Sequence, residues 1–170
     1  ALLFTYALGI GVLFWVIATF AVALPKSGGW MESVKSALGV ALGGEQRINT
    51  YTNSQQELPT VAAYCGGFVA VWASYTQDGS GWGIYAQRYA NDGTAVGAEF
   101  RVNATTSGEQ YDPEAAALAD GRFVVVWRDN GQDGSSYGVY AQRYNADGSA
   151  AGGEFRVNTT TSDAQYEPAV

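Results

Sequence analysis

The sequence predicts a mainly β chain of repeated four-stranded antiparallel units, preceded by one transmembrane α-helix and a short amphipathic helix. Three features predict this fold: a repeat of about 55 residues, alternating apolar strands between turn residues, and a long apolar segment at the beginning. Phe68–Trp72 recurs as Phe123–Trp127, and Tyr85–Tyr89 recurs as Tyr140–Tyr144. A third recurring pair is Glu99–Asn103 and Glu154–Asn158. A fixed period of this size indicates a repeat architecture.

The first segment, Ala1–Leu24, contains no charged side chain. As an α-helix it would be roughly 36 Å long, which exceeds a hydrocarbon thickness of about 30 Å. Because backbone groups in lipid must bond within their own segment, a helix is the expected form of a single span. Pro25 ends the helix, and Lys26 marks the water boundary. The segment therefore predicts membrane localisation, with the lipid bilayer as a partner.

Small residues on this helix suit contact with other membrane helices. Ala7 and Gly11 are four residues apart, and Gly9 adds a second flat position. Two alternatives stay open. Ala21–Ala23 resembles a signal-peptide cleavage site, although no basic residue precedes the apolar run. The other alternative is a helix buried in a protein core.

Met31–Leu42 predicts a short helix that lies along the membrane surface, because it is too short to cross a bilayer. Val34 and Leu38 place an apolar stripe on one of its faces. Lys26 and Lys35 favour a cytoplasmic loop, whereas we expect the repeats to be periplasmic or extracellular. The two expectations agree only if the short helix helps the chain to cross the membrane a second time.

Two stretches, Tyr6–Gly9 and Leu24–Lys35, resemble the membrane domain of the thiol:disulfide interchange (DsbD/CcdA-type) electron transporters of cytochrome c biogenesis. In that family an apolar helix ends in a Leu-Pro-Lys-Ser-Gly-x-Trp-Met loop, and another helix follows. The resemblance implies a scaffold that moves reducing equivalents across the inner membrane through a pair of helix cysteines. This chain has no cysteine before Cys65, so no redox residue is carried over.

Each repeat unit divides into four predicted strands. In the second unit these are Glu114–Leu118, Arg122–Arg128, Val139–Tyr144 and Gly153–Asn158. Asp120-Gly121 makes the first hairpin turn. Four short antiparallel strands in a unit of this length are typical of a β-propeller blade, and Phe123, Val125 and Trp127 are expected to pack between blades. Because closure takes roughly four to eight blades, we expect an incomplete ring. An open β-solenoid or a stack of sheets is the alternative.

The predicted organisation has five parts. These are a transmembrane helix at 1–24, a loop and short helix at 25–44, repeat units at 45–98 and 99–153, and the start of a third unit at 154–170. The membrane-like and repeat parts meet near Gly43-Gly44, where a natural fusion or an assembly artefact would give the same pattern. The repeats resemble tandem arrays of very large bacterial secreted or surface proteins. That resemblance implies further repeat units as partners.

Composition excludes several classes of function. The chain has no His, one Cys and a net charge of −7. Because histidine is absent, neither a Ser-His-Asp triad nor a Cys-His pair can form, and a zinc site made of the usual ligands is excluded. Proteins that bind nucleic acid need clustered Lys and Arg, so nucleic acid is not an expected partner. No cofactor is expected, with a calcium ion as the one exception.

A repeated Gln-Asp-Gly-Ser loop supplies the metal candidates. Asp129, Asp133 and Asp78 are the candidate calcium ligands, because Asp129 begins a segment that loosely resembles a calcium-binding loop. The final Glu of that pattern is absent, since Tyr140 stands at its position. A purely structural turn is the other interpretation of the loop.

Two repeated arginines, Arg88 and Arg143, lie on the predicted third strand of each unit. We expect them to pair with repeated acids such as Glu99 and Glu154, because opposite charges on neighbouring strands form structural bridges. Ligand recognition is the alternative role of these arginines.

Trp82 and Tyr137 occupy equivalent predicted loop positions. Exposed aromatic rings at such positions could stack on sugars, because loops often carry function. Packing within the loop is the alternative. These two residues complete the set of ligand-binding candidates.

Together these features predict a membrane-tethered fragment that displays extracytoplasmic β-repeats as a non-catalytic binding or adhesion module. A glycan or a protein is the expected ligand. No catalytic residue is identified, and enzymatic activity is not expected. The alternative is a fragment of a thiol:disulfide interchange electron transporter that lacks its redox cysteines.

Overall fold

The computed structural model describes residues 46–170. The predicted transmembrane helix, the loop after it and the amphipathic helix lie outside these residues. All regular elements within 46–170 are β-strands. This part of the chain accordingly contains no helix that could cross a membrane.

Eight strands form two four-stranded antiparallel sheets. The first sheet consists of β1 (Gln56–Tyr64), β2 (Gly67–Tyr75), β3 (Trp82–Ala90) and β4 (Ala95–Arg101). The second sheet consists of β5 (Gln110–Ala117), β6 (Phe123–Asn130), β7 (Tyr137–Tyr144) and β8 (Phe155–Arg156). Strands follow one another in chain order, so neighbours are joined by hairpin connections. The predicted mainly β fold with four-stranded antiparallel units is confirmed.

The second strand of each sheet is rich in β-branched and aromatic residues, which favour extended structure. β6 pairs with β7 along its whole length, from Phe123 opposite Tyr144 to Asn130 opposite Tyr137. In the turn before β6, the Gly121 N–H donates to the carbonyl of Leu118 at 2.9 Å. The φ of Gly121 is 88°, a value that suits glycine. The predicted hairpin at this turn is confirmed.

The main hydrophobic core lies between the two sheets. Val69 and Val71 of β2 pack there with residues of β6, and both valines are fully buried. The β6 residues in this core are Phe123, Val125 and Trp127. The prediction that these three residues pack between successive units is therefore confirmed.

The sheets end later in the chain than the predicted repeat units. The first sheet continues to Arg101 instead of stopping at 98, and the second continues to Arg156 instead of 153. The reason is that β4 completes its sheet by pairing with β3, with Phe100 opposite Ala86. The Glu-Phe-Arg-Val-Asn motif therefore closes a unit and does not begin the next one.

Candidate functional site: unit junctions and a proline-lined pocket

A buried asparagine joins the two sheets. Asn103 follows β4, is 1% exposed, and its side-chain oxygen accepts a hydrogen bond from the Ile84 N–H at 2.7 Å. Its amide donates to the carbonyl of Thr105 at 2.7 Å and to the side-chain oxygen of Gln110 at 3.0 Å. Because Ile84 lies on β3 and Gln110 begins β5, this side chain ties the end of one sheet to the start of the next.

The asparagine contact recurs in the other copies of the motif. Asn49 donates to Gln56 at 3.1 Å, and Asn158 donates to Gln165 at 2.9 Å. Asn158 also accepts a hydrogen bond from the Val139 N–H at 2.8 Å. These asparagines and glutamines are not among the candidates predicted from the sequence. A signal was present, because each copy places the glutamine seven residues after the asparagine.

The repeated glutamates also bind across the junctions. Glu99 accepts hydrogen bonds from the Thr50 N–H and from the side-chain amide of Gln77, both at 2.6 Å. In the second unit, Glu154 accepts the equivalent glutamine bond from Gln132 at 2.6 Å. Both carboxylates are thus occupied by donors from a loop and from the preceding junction segment.

The predicted pairing of the repeated arginines with the repeated glutamates is wrong. The Arg88 guanidinium instead reaches the second sheet, where it donates to the carbonyl of Ala146 at 2.7 Å and to the carbonyl of Asp147. Arg143 lies over the ring of Phe155, with its guanidinium carbon 5.4 Å from the ring centre. The physical reason is that amide donors already satisfy the glutamates, and Arg88 faces the next unit.

The repeated Asp-Gly-Ser loop forms tight turns. Asp78 accepts a hydrogen bond from the Ser80 N–H and Asp133 accepts one from the Ser135 N–H, each at 3.0 Å. The second oxygen of each carboxylate is buried without a hydrogen-bond partner among the described residues. Across residues 46–170, no three His, Cys, Asp or Glu side chains converge on a point that could hold a metal ion. Calcium binding stays a prediction, and the turns account for the motif.

Asp129 is fully buried, as is its counterpart in the first sheet, Ser74. The Asp129 carboxylate accepts hydrogen bonds from the Gln110 side chain at 2.9 Å and from the Gln132 N–H at 3.1 Å. Burial raises the pKa of Asp129 from 3.8 to about 6, and the two hydrogen bonds oppose this shift only in part. This predicted metal ligand therefore serves as a buried, titratable junction residue whose two oxygens already have protein donors.

Trp82 and Tyr137 begin β3 and β7 and are half-buried between successive units. Trp82 packs edge-on against Tyr111, with ring centres 5.0 Å apart, and Tyr137 packs against Tyr166 at 5.5 Å. The guanidinium carbon of Arg128 lies 4.9 Å from the centre of the Tyr137 ring. The two aromatic candidates thus take part in contacts between units.

A pocket of about 400 Å³ is lined by three copies of an X-Pro dipeptide, one from each successive unit. They are Leu58-Pro59, Asp112-Pro113 and Glu167-Pro168, and Thr60 and Glu114 line the same pocket. The residues before the prolines have φ values of 51°, 51° and 58°, a conformation that side-chain-bearing residues rarely adopt. Repeated backbone strain at one pocket is an indication of a functional surface.

Comparisons with known proteins leave the family of this chain open. No family model matches it, and no curated protein matches it. A solved structure of endo-arabinase from Bacteroides thetaiotaomicron VPI-5482 aligns with a TM-score of 0.42 at 18% identity. The alignment covers 65% of this chain and 45% of the endo-arabinase chain. A similarity of this size supports no conclusion about activity.

Proposed function

We propose that the protein is a non-catalytic binding or adhesion module, with extracytoplasmic β-repeats tethered to a membrane by Ala1–Leu24. The observation that carries the proposal is how the repeated polar side chains are used. Asn103, Glu99 and Arg88 all form hydrogen bonds that link one repeat unit to a neighbouring one. Side chains used in this way stabilise an array and are not available for acid–base chemistry.

We further propose that the units are β-propeller blades in an incomplete ring. The first strands of propeller blades surround a common axis. In support, two of the X-Pro dipeptides lie on β1 and β5, the first strands of their sheets, and they share one pocket. Further repeat units are the partners that such a ring requires, because closure takes roughly four to eight blades.

The proline-lined pocket is the proposed ligand site. Its volume of about 400 Å³ falls within the usual range of roughly 300–1,000 Å³ for small-molecule sites. Prolines and Leu58 supply apolar walls, and the carboxylates of Asp112 and Glu114 supply hydrogen-bond acceptors. A sugar combines apolar C–H faces with hydroxyl donors, so a glycan is the ligand class that this mixture favours over a protein ligand.

A pocket-filling variant tests this site. Thr60→Phe places a ring inside the pocket, whereas Thr94→Phe places the same ring on the exposed turn between β3 and β4. Against a panel of neutral and acidic oligosaccharides, Thr60→Phe is expected to weaken binding by about tenfold or more, which corresponds to roughly 1.4 kcal/mol. Thr94→Phe is expected to bind as the parent chain does. Equal binding by both variants would remove the pocket from the proposal, and no binding by the parent chain would remove the glycan.

The second candidate function is a fragment of a membrane electron transporter, which the family-like stretch Leu24–Lys35 favours. Cys65 is the single cysteine of the chain and is exposed in the turn between β1 and β2. An electron-transfer role would therefore need a paired-cysteine partner. Trapping of mixed disulfides in cells tests this role, since Cys65→Ser would abolish any trapped complex.

A further inference from the structure

The outer face of the second sheet repeats the face of the first sheet that packs in the core between the sheets. Val102 follows the first sheet and is 5% exposed, because it is buried in that core. Its equivalent after the second sheet, Val157, is 50% exposed. Arg88 is likewise half-buried, whereas its equivalent Arg143 is exposed. The same residue types thus differ in whether a following unit covers them.

The contact made by Arg88 shows which part of a following unit packs against this face of a sheet. Arg88 holds the turn at Asp147 through two backbone carbonyls. Gly148 in that turn has a φ of 87°, and a Cβ at this position would collide with the Arg88 guanidinium. The Arg143 side chain donates no hydrogen bond to any residue within 46–170 and lies over Phe155, which is 40% exposed. Arg143 therefore has the position of Arg88, but within residues 46–170 its side chain contacts no such turn.

The geometry points to a docking surface on the second sheet that receives a further unit of this repeat in the same chain. The surface consists of Val124, Val139, Arg143, Phe155 and Val157. Arg143 donates to the carbonyls of the Asp-Gly turn in the incoming unit, and the valines contact its Phe-x-Val-x-Trp strand. The chemistry is that of the interface already present between the two sheets. This inference rests on the proposed array of repeat units and is independent of what binds in the proline-lined pocket.

The test adds a further repeat unit. A second copy of residues 116–170 is joined after Val170, which continues the repeat in register. Amide hydrogen exchange is then measured by mass spectrometry for β7 and β8. Docking is expected to slow exchange there by about tenfold or more relative to the unextended chain, because a covered strand opens less often.

Three substitutions in the extended chain identify the contact. Arg143→Ala is expected to reverse most of the slowing, and Arg143→Lys to reverse part of it, because lysine keeps the charge but loses the paired donors. Arg122→Ala is the control, since Arg122 is exposed and pairs with Asp120 in its own turn. This control is expected to leave the slowing intact.

Exchange of β2, which is buried between the existing sheets, serves as the internal reference for folding. Unchanged exchange of β7 and β8 on extension would overturn the inference. Full protection that survives both Arg143 substitutions would overturn the role of Arg143. Protection of the unextended chain that rises with protein concentration would assign the surface to a second copy of the chain and would also overturn the proposal.

Discussion

The two sheets share one hydrogen-bond framework but differ at two neighbouring positions. The first sheet has Ala73 and Ser74 at the end of β2, and the second sheet has Arg128 and Asp129 at the equivalent positions of β6. Asp129 is bonded by Gln110 at the junction with the first sheet, and Arg128 lies between tyrosine rings. The comparison shows that a charged residue is accommodated where the neighbouring strands of its own sheet supply partners for it.

The smaller polar side chain of the first sheet, Ser74, is not better hydrogen-bonded than its charged equivalent in the second sheet. The Ser74 hydroxyl is buried without a hydrogen-bond partner among the described residues, whereas both oxygens of Asp129 have donors. A buried hydroxyl without a partner costs about 1–3 kcal/mol, and a buried carboxylate is costly even with partners. The two sheets therefore fill the same buried position with different side chains, a neutral hydroxyl in the first sheet and a titratable carboxyl in the second.

The largest expected difference between the sheets concerns their equivalent tryptophans. Trp127 is fully buried in the core between the sheets, so Trp127→Ala is expected to lower the free energy of unfolding by about 3–5 kcal/mol. Trp72 lies in a smaller cluster on the other face of the first sheet, and Trp72→Ala is expected to cost less. Urea denaturation followed by tryptophan fluorescence and circular dichroism measures both. A larger loss for Trp72→Ala would contradict the view that the inter-sheet core dominates stability.

The second-largest expected difference in stability concerns the junction asparagines, Asn103 and Asn158. Asn103→Ala leaves the Ile84 N–H and the Gln110 side chain without their buried partner, so we expect a loss of about 2–3 kcal/mol. Asn158 makes the same contacts but is half-buried, so water can replace them and Asn158→Ala is expected to cost about 1 kcal/mol. The same denaturation experiment compares the two variants. Equal costs would mean that burial does not set the strength of the junction.

Asp129 predicts a pH dependence that the first sheet lacks. Folding raises the pKa of Asp129 from 3.8 to about 6. Between pH 3.8 and about pH 6, the carboxyl of Asp129 is therefore protonated in the folded state and ionised in the unfolded state. The free energy of unfolding is therefore expected to fall as pH rises from about 4 to about 6, by about 2 kcal/mol, and then to level off. Asp129→Ser, which copies the first sheet, should remove this dependence. Denaturation midpoints between pH 4 and pH 7 test it, and an unchanged slope in the variant would exclude Asp129 as the cause.

The smallest effect concerns Arg128. Its guanidinium lies over Tyr111 at 5.3 Å and Tyr137 at 4.9 Å, and its Nε is 3.0 Å from an Asp112 carboxylate oxygen. Arg128→Ala, which copies Ala73, is expected to lower the free energy of unfolding by about 1 kcal/mol, because cation–π contacts at partly exposed sites are of this size. Arg122→Ala, at an exposed turn, provides the baseline and is expected to cost almost nothing. A cost for Arg128→Ala no larger than this baseline would mean that the tyrosine contacts are incidental.

Repetition made the sheets predictable from sequence. Phe123, Val125 and Trp127 alternate with period two, recur as a motif and flank a strong turn signal at Asp120-Gly121, so strand, hairpin and buried face all follow from local pattern. Unit boundaries were harder to predict. The predicted boundaries begin new units at Glu99 and Glu154, although the strand pattern places the Glu154 motif in the fourth strand of a unit. The pairing of β4 with β3 agrees with the strand pattern.

The candidate sites were less predictable, because polar side chains in a repeat find partners in the neighbouring unit. The partners of Arg88 lie 58 and 59 residues further along the chain, in a turn that shares no local pattern with it. The proline-lined pocket requires three copies of a dipeptide to come together in space. Each dipeptide alone predicts only a local extended or turn conformation.

The sequence by itself determined the class of fold and the burial of Phe123, Val125 and Trp127 on one face of their strand, because alternation and period are local properties that fix which side chains must leave water. It also determined the absence of histidine chemistry, since composition is independent of folding. Only the tertiary structure decided that Asp129 is buried and titratable, that Glu99 accepts amides, and that Arg88 holds a distant turn. These outcomes depend on burial and on hydrogen-bond partners brought by other strands, loops or units, and both arise only when the chain folds.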